Sequence, residues 1–166
     1  MKLAIFIDCN TIRYFDDALG RMVFVPRSLH AIARLFTYGA KIILVARQQS
    51  ASVADEAVNN VELISAIEKR GGLVHDTYYY QSEEIASNVT SEGATLPTIF
   101  AEAAKKHDLN LSISYFFSDD VKHVMNTNQS DVTFIYSLRD VRPSGLVSAF
   151  RHHPFQFHIA FDLFDA

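Results

Sequence analysis

Apolar residues along this chain come in short continuous runs, separated by stretches in which they recur at helical spacing. The first run, LAIFID over Leu3–Asp8, does not alternate and is rich in Ile, Leu and Phe. That pattern predicts a strand buried on both faces. Thr11–Arg21 is polar and contains Gly20, and Met22–Val25 reads as half of a small hairpin. Pro26 suits the first turn of a helix whose inner face carries Leu29, Ile32, Ala33 and Phe36, with Gly39 as its stop. Lys41–Ala46 predicts a second buried strand. Between Asp55 and Arg70, Val58, Val61, Ile64 and Ile67 repeat at helical spacing until Gly71-Gly72. Leu73–His75 predicts a short strand, followed by Tyr78-Tyr79-Tyr80. Gln81–Leu96 is polar and reads as a long loop, and Pro97–Leu109 as a helix. Ser114–Phe117 predicts a fourth strand, Asp120–Asn126 a short helix and Val132–Tyr136 a fifth strand. In the tail, residues 151–166, Phe155, Phe157, Ile159 and Phe161 alternate. This predicts a further strand with one apolar face, which either completes the chain's own sheet or adds to the edge of another molecule.

Strands that alternate with helices predict an α/β fold over a single domain, 1–166. The expected architecture is a Rossmann-like, doubly wound, mostly parallel sheet with helices on both faces and no large cap. Ligands of such sheets sit beyond the carboxyl ends of the strands, where the strand order reverses. Asp8 ends the first strand, and Asp119-Asp120 follow the fourth. If those strands are neighbours, the carboxylates converge and repel unless a cation joins them. Oxygen ligands of this kind favour Mg²⁺ over softer metals.

Composition narrows the partners. The 166 residues are 49% hydrophobic, enough for a full core. A net charge of -4 without a Lys/Arg cluster gives no electrostatic footprint for nucleic acid. A strand ending in Asp also occurs in some metal-dependent nucleases, but this acidic balance argues against that reading. No segment has signal-peptide architecture or the roughly 18–20 apolar residues of a membrane helix, so the expectation is a soluble, cytoplasmic protein. Cys9 is the only cysteine. It excludes an internal disulfide and Cys-rich zinc sites, and no zinc is expected. Cys9 is either a nucleophile beside Asp8 or a packed core residue. His152, His153 and His158 read as surface residues rather than ligands, and the three tyrosines as core and rim packing.

The segments IFIDCNT, PRSLHAIARLFTYGAKIILVARQ, HDTYYY and SISYFFSDD resemble the haloacid dehalogenase superfamily, from Leu3 to about Val141. More narrowly, they are similar to its small phosphatases acting on histidinol phosphate or heptose bisphosphate. The resemblance implies that Asp8 occupies the position of the aspartyl nucleophile. The family's general acid, two residues on, is here Asn10, an amide with no titratable proton. The hydroxyl of the second motif aligns with Ala46, followed by Arg47 and Gln48. The lysine of the third motif aligns with Thr95-Leu96. The fourth motif, Gly-Asp-x-x-x-Asp, reads Ser118-Asp119-Asp120-Val121-Lys122-His123, so its second Asp is His123. The zinc loop is replaced by Gln81-Ser82-Glu83-Glu84.

The magnesium half of the motif set therefore survives: Asp8, the backbone carbonyl of Asn10, and Asp119, with Asp120 as a neighbouring carboxylate. Arg47 and Lys122 are the candidate phosphate contacts. The acid, the hydroxyl and the lysine are absent, and general acid–base catalysis alone is worth roughly 10²–10⁴-fold. The expectation is a phosphatase-fold protein with weak or no turnover and a binding or regulatory role, its partner a small phosphorylated molecule or a protein. The competing readings are a divergent Mg²⁺-dependent hydrolase using Asp8, and an assembly module that forms a homo-oligomer through the Phe-rich C-terminal strand.

Overall fold

In the computed structural model, which describes residues 1–25, 27–48, 53–81, 94–120, 130–137 and 157–160, the apolar runs become the strands of one sheet. Strand β1 is Ala4–Asp8 and is buried throughout. A single 3₁₀ turn, Cys9–Thr11, leads into a hairpin of β2 (Arg13–Asp16) and β3 (Arg21–Phe24). Then follow α1 (Ser28–Thr37), β4 (Lys41–Gln48), α2 (Val53–Glu68), β5 (Val74–Gln81), α3 (Leu96–His107), β6 (Tyr115–Ser118), β7 (Thr133–Ser137) and β8 (Phe157–Ala160). The sheet order is β5-β4-β1-β6-β7-β8, and every neighbouring pair is parallel.

The strand order runs outward in both directions from β1, so the switch point lies between β1 and β6. The two faces are covered by different helices. Ile5, Ile7, Ile42 and Leu44 pack with Ala31 and Ile32 of α1 and Leu63 and Ile67 of α2. Ala4, Phe6, Ile43, Val45 and Phe116 pack with Ile99, Phe100 and Ala103 of α3. Side chains alternate along each strand, so Asp8 continues the Phe6 side, over which α3 lies. A capping box between Thr95 and Thr98 starts α3. At its other end Lys106 Nζ and His107 Nε2 reach Asp76 Oδ2 at 2.7 and 2.9 Å. Burial opposes ionisation of Asp76, but these hydrogen bonds outweigh it and hold the carboxyl at about 2.

Several elements differ from the sequence expectation. The polar stretch after Thr11 contains a whole strand, β2, which pairs with β3. Asp16 Oδ1 accepts the Ala18 and Leu19 amides and closes the turn. The Tyr triplet lies inside β5 rather than beyond it. Among the described side chains of α2, Asn60, Leu63 and the expected Ile67 are buried and the expected Ile64 packs against the core, while Val61 is 62% exposed. The buried stripe is thus set one position away from Val61. The tail residues Phe157–Ala160 pair in parallel with β7 of the same chain. The expected helix from Asp120 falls almost wholly outside the described residues, as do most of the loop Gln81–Leu96 and residues Pro26, Phe155 and Phe161.

One sheet contact depends on pH. The Ile42 amide donates to His75 Nδ1 at 3.1 Å, where the β4–β5 register shifts between Ile42 and Ile43. Burial, then the nearby Lys41 charge, lowers the His75 pKa below its ordinary 6.5. The bond itself needs the Nδ1 lone pair, which only a ring unprotonated at Nδ1 provides. On acidification the unfolded chain therefore takes up this proton before the folded one. The contribution of His75 to stability is complete above its ordinary 6.5 and is lost as pH falls below it. In thermal melts, His75→Asn, which keeps an acceptor but does not titrate, should flatten the loss of Tm below that pH. An unchanged slope in the variant would count against this account.

Candidate functional site

The carboxyl ends of β1 and β6 place Asp8 and Ser118-Asp119-Asp120 side by side. Ile7 pairs with Phe117, so the residues that follow each stand at the same end of the sheet. Asp8 is 2% exposed and Ser118 is fully buried. Asp8 Oδ1 accepts the Asn10 amide at 3.0 Å, and Asp8 Oδ2 accepts the Ser118 hydroxyl at 3.0 Å. The Asp120 amide donates to Ser118 Oγ at 3.2 Å. Thr11 Oγ1 donates to Asp119 Oδ1 at 3.2 Å and accepts the Asp119 amide at 3.0 Å. The turn after β1 and the turn after β6 are therefore tied together by two hydroxyls.

Burial pushes the Asp8 carboxyl up to about 7, opposed by the Asn10 and Ser118 donors and reinforced by the negative charges of Asp119 and Asp120. Such a site favours an added positive charge. Among the described residues, no three His, Cys, Asp or Glu side chains converge into a ready-made metal cage. A donor set of two carboxylates and a backbone carbonyl suits Mg²⁺, which keeps several waters and ligand oxygens in its shell.

Two expectations change at β4. The strand runs through Gln48, so Ala46 and Arg47 lie within it rather than at its end and in the loop beyond. Ala46 packs in the core on the α1/α2 side. Arg47 falls on the opposite side, that of Val45 and Asp8, and pairs with Tyr80 of β5. Tyr80 is buried against Val45 and Leu96. Burial, then the charges of Asp8 and Asp120, raises its pKa, while Arg47 lowers it. Tyr80 thus lies within electrostatic reach of the site, which its place in a Tyr triplet did not signal. Ser118 was also missed as a contributor; its only sequence signal is a side chain where the resembled motif has Gly.

Leu96, at the lysine position, is the first residue of α3 and is buried in the core. Cys9 is buried on the α1/α2 side, and burial pushes its thiol up to about 12. That makes it a packed thiol and overturns the nucleophile reading. Lys122, His123, His152 and His153 lie outside the described residues, as does the side chain of His158.

No protein-family model matches the chain, and no curated protein sequence matches it. Solved structures do. The D,D-heptose 1,7-bisphosphate phosphatase of B. bronchiseptica, solved with magnesium and phosphate, superposes with a TM-score of 0.78 at 18% identity. The match covers 99% of this chain and 95% of that one. The fold is that of the haloacid dehalogenase-type phosphatases. The D,D-heptose 1,7-bisphosphate phosphatase of Burkholderia thailandensis matches at 15% identity and a TM-score of 0.70, over 99% and 95% of the two chains. An uncharacterized protein from Listeria monocytogenes serotype 4b matches at 12% identity and 0.68, over 99% and 94%. Among the described residues no large cap interrupts this fold, and no helix is long and apolar enough to cross a membrane.

Proposed function

We propose that the crevice at the β1–β6 switch point binds a small phosphorylated molecule together with Mg²⁺, and turns phosphomonoesters over weakly or not at all. The observation that carries this reading is the division between what the crevice keeps and what it lacks. Asp8 and Asp119 stand together on adjacent strand ends. Asn10 offers no acid, Ala46 is packed into the opposite core and Leu96 is buried at the start of α3. Asp8, Asp119 and the Asn10 carbonyl would hold the cation, with Asp120 beside them. Bound Mg²⁺ would offset the carboxylate charge and attract phosphoryl oxygens. The magnesium and phosphate in the heptose bisphosphate phosphatase structure support the same ligand chemistry here. Arg47, on the side of Asp8, is the candidate contact for an anionic oxygen, with Lys122 a second from outside the described residues.

A second reading rests on Asp8 itself. In a divergent Mg²⁺-dependent hydrolase its carboxylate would attack phosphorus, forming an aspartyl phosphate as the bond to the leaving oxygen breaks. Water would then release phosphate. Assembly through the tail is a third reading. β8 ends the strand order among the described residues, and its outer edge is where a second copy would pair.

The test is phosphate release from a broad panel of phosphomonoesters with Mg²⁺, beside equilibrium binding of inorganic phosphate, in wild type and Asp8→Ala. A missing acid removes roughly 10²–10⁴-fold of rate, so release by the wild type should match that of the variant, while phosphate binding should need both Mg²⁺ and Asp8. Asp8-dependent turnover would select the hydrolase instead. Absence of Mg²⁺-dependent phosphate binding would leave the assembly reading.

A further inference from the structure

The Ser118 hydroxyl touches both acidic segments of the site, the end of β1 at Asp8 and the turn carrying Asp120. Its direction is fixed by its neighbours: the Asp120 amide can only donate to it, and the Asp8 carboxylate can only accept from it. With Asp8 ionised, the proton on Ser118 Oγ therefore points at Asp8 Oδ2. Ser118 is fully buried, so the bond is shielded from bulk water. Together with the Asn10 amide on Oδ1, one donor is fixed to each oxygen of Asp8. These two donors fix the orientation of the carboxylate plane.

The resembled motif has Gly at this position, which could supply no such hydroxyl. We propose that Ser118 is a positioning residue: its hydroxyl sets the Asp8 carboxylate, together with the turn carrying Asp120, in the arrangement that receives a divalent cation. This inference rests on the Mg²⁺ reading of the site. The chain Asp120 N–H···Oγ–H···Oδ2 has a consistent direction, so each bond polarises the next. It also links the Asp8 end of β1 to the loop after β6 without any metal, and the Thr11–Asp119 pair repeats that link from the other side. The two turns are thus held in place before a cation arrives. A carboxylate already oriented by an outer hydrogen bond loses less freedom on binding, and removal of such a partner typically weakens metal affinity about 10–100-fold.

The experiment is Mn²⁺ binding followed by electron paramagnetic resonance, with Mn²⁺ as the oxygen-seeking stand-in for Mg²⁺. Wild type, Ser118→Ala and Ser118→Thr are compared on the intact chain, with folding checked by circular dichroism. Ser118→Ala should bind Mn²⁺ at least about tenfold more weakly, and Ser118→Thr, which restores a hydroxyl, should recover most of the loss. Ser118→Gly, the residue of the resembled motif, replaces the Ala variant should that one not fold. Equal or tighter binding by a folded variant without the hydroxyl would overturn the role of Ser118 and leave the Mg²⁺ reading standing. Absence of Mn²⁺ binding by the wild type would overturn both.

Discussion

Phe100→Ala should destabilise the fold by about 3–5 kcal/mol, the range for deleting a large buried aromatic side chain. Phe100 is the residue through which α3 grips the sheet. Its ring meets Phe6 of β1 at a centroid distance of 4.7 Å and Phe116 of β6 at 5.4 Å, both edge-on at 61°. All three rings are fully buried. Truncation removes the apolar area, both edge-to-face contacts and the filling of the space between α3 and the two strands that carry the site. Backbone movement cannot close that space easily, because β1 is paired on both sides and its neighbours are buried as well. For a chain of this size each kcal/mol corresponds to roughly 2–4 °C, so Tm should fall by about 6–20 °C. Urea unfolding monitored by circular dichroism measures the loss directly. Phe100→Leu, which retains much of the volume, should cost clearly less. A loss below about 1 kcal/mol for the Ala variant would show that α3 is held elsewhere.

The aromatic cluster also explains why the sheet was easy to read from the sequence. Strands buried on both faces must be apolar at successive positions, and LAIFID, KIILVA and SYFF have that signature. The partnership of Asp8 with Asp119 followed from topology rather than from proximity in sequence: a parallel sheet places every carboxyl end on one side, and the switch point sets which two ends meet. What failed were the places where a single residue carries the decision. Arg13 and Asp16 at the ends of β2 give a short hairpin strand the polar look of a loop. Val61 fits a helical repeat as well as Leu63 does, and only packing against β4 and β5 selects between them. The apolar run of β4 ends at Ala46, which gives Arg47 the look of a loop residue although the strand runs on to Gln48. The extra residues keep the period of two from Val45, which turns Arg47 toward the Asp8 side and Ala46 into the core. Ser118 had no visible role until the β1–β6 register placed Asp8 opposite it.

Asp8→Asn should make the cation-free protein more stable and the site inert. The wild-type carboxylate is buried, and its charge is disfavoured both by lost hydration and by Asp119 and Asp120, which together lift its pKa to about 7. Holding that charge at a pH above this value costs stability, and the cost is offset only when a cation joins the carboxylates. The amide variant keeps the shape of the side chain. Its Oδ1 can still accept the Asn10 amide, and its NH₂ can donate to Ser118 Oγ in place of the bond now made to Oδ2. The expected gain is about 0.5–2 kcal/mol in the presence of chelator, the usual size of a single stabilising substitution. A ligand that binds only the folded state raises its stability with concentration. Mg²⁺ should therefore raise the Tm of the wild type and leave that of Asp8→Asn unmoved, so the two melting curves should approach each other as Mg²⁺ is added. Thermal melts in chelator and across a Mg²⁺ series decide the point. A lower Tm for Asp8→Asn in chelator would mean that the ionised carboxylate is already compensated within the chain. The crevice would then have no electrostatic need for a cation.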